Sequence, residues 1–97
     1  MKILALVSDI IFIPIIQSAL SKHDVKFVEV YNGEEADLFV LDMDHNQSFE
    51  LCKKFPEKSF CFGSHKNTEL MEKFRQTECK NVFARSAIKT VLQRLNS

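Results

Sequence analysis

The sequence predicts an α/β domain in which a parallel sheet carries helices on both faces. Three observations lead there. Leu38-Phe39-Val40-Leu41 is a short, wholly apolar run with Asp37 before it, Asp42 at its end and Asp44 just beyond. A run of this length with polar residues at both ends reads as a strand buried on both faces. The stretch from Lys2 to Val7, followed by Ser8 and Asp9, repeats the pattern. Strand-like and helix-like segments alternate along the rest of the chain, which is the order that builds a parallel sheet. Carboxylates at the ends of such strands sit at the rim where open α/β folds bind their ligands. Asp9 and Asp42 on one rim point to a small divalent-cation or phosphoryl site. Each residue alone also has a plainer reading: Asp9 caps the next helix, and Asp42 opens a loop.

The predicted order is strand, helix, strand, strand, helix, strand, helix, strand, helix. The first strand covers about Lys2–Val7. The first helix starts soon after Asp9 and runs to about Lys22, with Pro14 tolerable only near its first turn. Lys26-Phe27-Val28-Glu29-Val30-Tyr31 alternates and reads as an edge strand with one wetter face. The strand ending in Asp42 comes third. A short helix from Ser48 to Phe55 is stopped by Pro56, and Ser59-Phe60-Cys61-Phe62 is the fourth strand. Asn67 caps a helix to about Thr77 with Leu70, Met71 and Phe74 on one face. Asn81-Val82-Phe83-Ala84 is the fifth strand. Ser86 has the character of an N-cap for the last helix, in which Ile88, Val91, Leu92 and Leu95 form an apolar stripe.

Composition excludes several classes. Ninety-seven residues allow one core, and the chain reads as a single domain over 1–97. Thirteen basic residues balance thirteen acidic ones, so no charge argues for nucleic acid. The apolar stretch from Ile3 to Leu20 could pass for a membrane anchor, but Ser8 and Asp9 interrupt it. An aspartate at the centre of an inserted helix costs roughly 2.5–3.5 kcal/mol. No membrane association is expected. Cys52, Cys61 and Cys79 have wide, irregular spacing with no C-x-x-C pair, so reduced thiols in a cytoplasmic protein are expected, with Cys61 packed in its strand. Gly33 and Gly63 stand alone, which leaves no glycine-rich phosphate loop.

With these elements in order, the chain resembles the receiver domain of two-component response regulators. Ser8-Asp9 stands where receivers carry an acidic pair, and Asp42 where they carry the phospho-accepting aspartate. Ser64, in Phe62-Gly63-Ser64-His65, matches their Thr or Ser after the fourth strand. Arg85, in Ala84-Arg85-Ser86-Ala87, takes the place of their lysine, and Asn32-Gly33-Glu34-Glu35-Ala36 is similar to the segment that opens their second helix. The resemblance implies a flavodoxin-like three-layer sandwich with five parallel strands in the order 2-1-3-4-5. It also implies a phosphoacceptor at Asp42 with Ser8, Ser64, His65 and Arg85 as neighbours. A Mg²⁺ site would use Asp9 and Asp42, with the Asp44 carbonyl as a third oxygen.

Departures from the pattern shape the functional expectation. Ser8 removes one carboxylate from the metal site, and Mg²⁺ draws on one or two carboxylates with waters. Lysine is a point charge, whereas arginine is a planar fork that pairs well with a carboxylate. Arg85 can therefore hold Asp42 in a permanent ion pair. Both changes lead us to expect weak Mg²⁺ binding and poor phosphorylation. The second departure is length. Only about five residues separate Tyr31 from Asp37, so the crossover cannot hold a helix. Five or six extended residues span roughly 17–20 Å, barely enough to cross to the far side of the first strand. A hairpin at Asn32-Gly33, pairing the second and third strands directly, is the rival.

Two functional readings follow. In one, the chain is a stand-alone receiver-like adaptor in two-component signalling or a phosphorelay. It is not an enzyme, and it contacts a kinase, a downstream effector or a second copy of itself. In the other, the same rim binds a small anionic ligand or nucleotide. His65 is read as solvated, and His23 and His45 as turn residues. The absent helix should leave part of a sheet face bare, so a homodimer is expected that buries apolar surface around Phe12, Phe27 or Val28.

Overall fold

The structure, a computed structural model, describes residues 1–96. The elements are β1 (Lys2–Leu6), α1 (Phe12–Ala19), β2 (Asp24–Phe27), β3 (Leu38–Asp42), α2 (Ser48–Lys54), β4 (Ser59–Gly63), α3 (Thr68–Arg75), β5 (Val82–Ala84) and α4 (Arg85–Gln93). A 3₁₀ turn over Arg94–Asn96 follows. The strands form one parallel sheet in the order β2-β1-β3-β4-β5. Ile3 lies beside both Val25 and Leu38, which places β1 between β2 and β3 and rules out the hairpin.

The strands bury opposite faces in alternation, as a period of two requires. Leu4, Leu6, Phe39, Leu41 and Cys61 enter one core layer with Leu51 and Cys52 of α2 and Met71 and Phe74 of α3. Ile3, Ala5, Val40 and Phe62 enter the other with Ile16 and Ala19 of α1 and Ile88 and Leu92 of α4. Each such large side chain taken out of water contributes roughly 1.5–3 kcal/mol, and the central strands β1, β3 and β4 supply most of them. This is why their sequences are nearly continuous apolar runs.

Local chemistry sets the element ends. In α1, Pro14 sits in the first turn, where no backbone N–H is required. The helix ends at Ala19, earlier than the expected Lys22. Asn67 caps α3 as expected, its side chain accepting from the Leu70 N–H at 3.2 Å. Ser86 does not cap the last helix. Ala84, in extended backbone, holds the cap position without a side-chain bond, and α4 begins directly at Arg85. Gly63 lets Met43 pack closely, since a Cβ there would lie 2.9 Å from Met43 Sδ and would push that side chain aside.

The region from β2 to β3 differs most from expectation. The edge strand covers Asp24–Phe27 rather than Lys26–Tyr31. Its pairing with β1 ends soon after the Val28 N–H meets the Ala5 carbonyl at 3.0 Å. Residues 28–37 thus form a ten-residue link with no helix or strand. Ten residues reach roughly 33–36 Å, so the crossover is not stretched. The expected bare face is covered as well: Val28, Tyr31 and Ala36 of the link pack on the core layer that holds Leu4 and Phe39. Tyr31 meets the Phe39 ring edge-on at 5.6 Å, and Leu4 and Phe39 are each only 1% exposed.

Candidate functional site

The carboxyl ends of the strands carry the residues singled out from the sequence. Asp42 ends β3 and is fully buried. Buried carboxylates need donors, and here they are main-chain N–H groups. Oδ2 accepts from Ser8 N at 3.0 Å and Asp9 N at 3.4 Å, while Oδ1 accepts from Asp44 N at 3.0 Å. The chain leaving β1 and the chain leaving β3 therefore wrap the carboxylate between them. Because the donors are backbone, Ser8 contributes here without its side chain.

Arg85 does not pair with Asp42. Its Nη2 donates to Asp44 Oδ2 at 2.5 Å, and its guanidinium lies 5.5 Å from the Phe12 ring centre. The expected Asp42–Arg85 ion pair is thus replaced by one a turn away. Asp42 has its donors, and Asp44, which is exposed, is the carboxylate that Arg85 can reach. Arg85 Nε is buried without a partner.

The other candidates turn to local roles. Asp9 Oδ1 accepts from Ile11 N at 3.2 Å, and the Asp9 carbonyl accepts from Phe12 N at 3.0 Å. Asp9 thus shapes the turn before α1 but does not cap the helix, whose cap position is Ile11 without a side-chain bond. Ser64 Oγ accepts from Lys66 N at 3.3 Å, and His65 is exposed. The side chains of Asp9, Asp42 and Asp44 do not gather into a group of three close ligand atoms. Among the described residues only Cys52, Cys61 and Cys79 do so. Asp42 is buried among backbone donors and Asp9 is engaged in its own turn, so the two carboxylates expected to hold Mg²⁺ fit it poorly.

Two further sets of residues escaped the sequence reading. His45 and Gln47, between β3 and α2, pin the link. Gln47 Oε1 accepts from Tyr31 N at 2.8 Å and its Nε2 donates to the Tyr31 carbonyl at 3.2 Å. His45 Nδ1 lies 3.1 Å from the Gln47 N–H, which makes it the acceptor, so Nε2 carries the proton it gives to the Glu29 carbonyl at 2.7 Å. One side-chain amide thus replaces the strand pairing that Tyr31 lacks. The second set is the three cysteines, which are far apart in sequence but meet in the core. Hydrogen bonds from Cys52 and then Cys61 lower the pKa of Cys79. Cys61 is pushed up, by Cys52 first, then by Cys79 and burial.

Apolar residues also flank the rim. Ile10 and Ile11, in the turn between β1 and α1, are 74% and 63% exposed. Phe12, Phe27 and Val28, where an exposed surface was expected, are half-buried, and Phe12 packs on Phe62 at 5.4 Å. Among the described residues the exposed large apolar side chains are Met1, Ile10 and Ile11, with Val30 in the link.

No protein-family model and no curated protein matches the sequence. Solved structures do match the fold. A response regulator from Thermotoga maritima aligns over 98% of this chain and 93% of its own, with TM-score 0.71 and 14% identity. The phosphorylated cyanobacterial phytochrome response regulator RcpA aligns over 98% and 90%, with TM-score 0.69 and 16% identity. The receiver domain of a Francisella response regulator aligns over 99% and 98%, with TM-score 0.65 and 12% identity. The chain therefore has the receiver fold: flavodoxin-like, with strand order 2-1-3-4-5. Among the described residues no helix is long and apolar enough to cross a membrane.

Proposed function

We propose that this chain is a receiver-like signalling module that acts by protein–protein contact, with a degenerate Asp42 site that phosphate does not switch. The observation that carries this reading is the state of Asp42. Its carboxylate is fully buried and accepts from three main-chain N–H groups, on both oxygens. An oxygen that attacks phosphorus must be presented to the phosphoryl donor, and charge developing on that group must meet cations held in place. Here Ser8 stands in place of a second acid, and Arg85 is spent on Asp44. We therefore propose no enzymatic activity and weak Mg²⁺ binding. The protein is expected in the cytoplasm, where a receiver-like module meets its partners.

The contact surface in this reading is the same rim, with Ile10 and Ile11 as its apolar part. The partner can be a kinase, an effector or a second copy of the chain.

The test is incubation with acetyl phosphate and Mg²⁺, followed by intact-protein mass measurement. No stable added phosphate is expected, and Mg²⁺ alone should leave the melting temperature unchanged. Incorporation that disappears in Asp42→Asn would overturn the reading. Thermal melting against a nucleotide panel separates it from the ligand-sensor alternative, which requires at least one nucleotide to raise the melting temperature.

A further inference from the structure

We propose that Cys52, Cys61 and Cys79 form a binding site for a single thiophilic d¹⁰ metal ion of the Zn²⁺ class. These are all the cysteines of the chain, and they reach one point from three separate elements. Cys52 comes from α2, Cys61 from the middle of β4, and Cys79 from the segment that leads into β5. All three are free and buried, and their sulfurs lie within 4.8 Å of one another.

A buried cysteine ordinarily packs as a small apolar side chain. One such residue would need no further account. Three thiols facing one another make a concentration of soft donors, and thiolates select Zn²⁺, Cu⁺ and iron–sulfur clusters over hard cations. Three sulfurs bound at about 2.3 Å in tetrahedral geometry stand roughly 3.8 Å apart. The cluster therefore needs to contract by about 1 Å or less to hold the ion, which side-chain rotation can supply.

The hydrogen bonds around the cluster hold the metal-free thiols protonated: Cys79 Sγ donates to the Ser59 carbonyl at 3.3 Å, and ligation would release such protons. Thr77 Oγ1 donates its one proton to the Phe74 carbonyl at 2.6 Å and accepts from the Cys79 N–H at 3.2 Å. The Cys52 thiol, 3.4 Å from the same oxygen, must then be a donor to it. Thr77 thus ties Cys52 and Cys79 together in the metal-free protein, and its hydroxyl must turn to donate to the Cys52 thiolate once the ion binds. An ion also needs a way in. A cleft whose wall includes Glu57, Arg75, Thr77, Glu78, Cys79 and Lys80 borders the cluster at Cys79. It can supply a water as fourth ligand. The cluster lies within a core layer and is separate from the Asp42 rim, so it stands or falls independently of the signalling reading.

The experiment uses the full chain, reduced and stripped of metal, titrated first with Co²⁺ under anaerobic conditions and then with Zn²⁺. The expected result is one equivalent bound per chain, with an intense thiolate-to-cobalt charge-transfer band and tetrahedral visible bands that Zn²⁺ abolishes. Zn²⁺ should also raise the melting temperature and shield all three thiols from a thiol reagent. Cys61→Ser and Cys79→Ser, checked for folding by circular dichroism, should weaken binding by more than the roughly 10–100-fold that residues outside the ligand set are worth. If neither variant folds, shielding of the wild-type thiols and the charge-transfer band decide the matter. Absence of that band in reduced, folded protein overturns the proposal. So does a band that persists unchanged in a folded Cys61→Ser variant, or Zn²⁺ that binds while the thiols react at their metal-free rate.

Discussion

Asp42 is the residue on which the chemistry turns, and its surroundings determine what a substitution does. Three N–H groups point at the carboxylate from the ends of β1 and β3. An amide can satisfy the two on one oxygen, but its NH₂ then faces the third donor. Leaving a buried donor unpaired costs roughly 1–3 kcal/mol. Asp42→Asn should therefore lower the urea midpoint by a matching amount with no change in slope. An unchanged midpoint would mean that the carboxylate is not structurally engaged. Arg85 calls for smaller expectations. Its pair with Asp44 has side chains 30% and 47% exposed, and ion pairs in that setting are worth about 1 kcal/mol or less.

The link between β2 and β3 is the most unusual element. It lacks a helix, yet it must cover one face of β1 and β3. Apolar packing by Val28, Tyr31 and Ala36 supplies the cover, and the Gln47 amide holds the backbone at Tyr31. Gly33 provides the left-handed turn with φ +88° that lets the chain reverse. The structure predicts that Gln47→Ala costs about 1–2 kcal/mol, since two half-buried backbone groups lose their partner. The loss should be local first. Hydrogen exchange at Tyr31 should quicken well before that in β1 or β4, because segments with few buried contacts open at lower free energy. Equal acceleration across the sheet would show that the link and the sheet unfold as one unit.

For the whole molecule, the question is whether the exposed apolar positions find a partner. Ile10 and Ile11 project from the rim, next to the turn that Asp9 shapes. Their exposure is local, since the sheet face beneath the link is closed, so any self-association is expected to be weak. Sedimentation over a range of micromolar concentrations should show a shift toward dimer that Ile10→Asp with Ile11→Asp removes, while the melting temperature stays unchanged. A monomer at every concentration would mean that the rim awaits a different protein or none. The folding core lies elsewhere, in β1, β3 and β4 with the helices on both faces, and the double variant leaves it untouched.

Sequence alone determined the frame. Central strands of a parallel sheet are buried on both sides, so Ile3–Leu6 and Leu38–Leu41 had to be apolar throughout, and the position of Asp42 at a strand end followed directly. Helix periodicity did the same for α4, and Asn67 marked the start of α3. Tertiary structure decided what depended on partners distant in sequence. The alternation in Lys26–Tyr31 looked like a strand, but pairing with β1 ceases near Val28, and Tyr31 bonds instead to a glutamine sixteen residues on. Arg85 could have met either Asp42 or Asp44; backbone donors already held the first, so it took the second. The three cysteines carry no spacing signal because they come from three elements, and only the packing of α2 and the chain before β5 against β4 brings their sulfurs together. Periodicity records which side of an element is buried; which side chain it then meets depends on how the elements are packed.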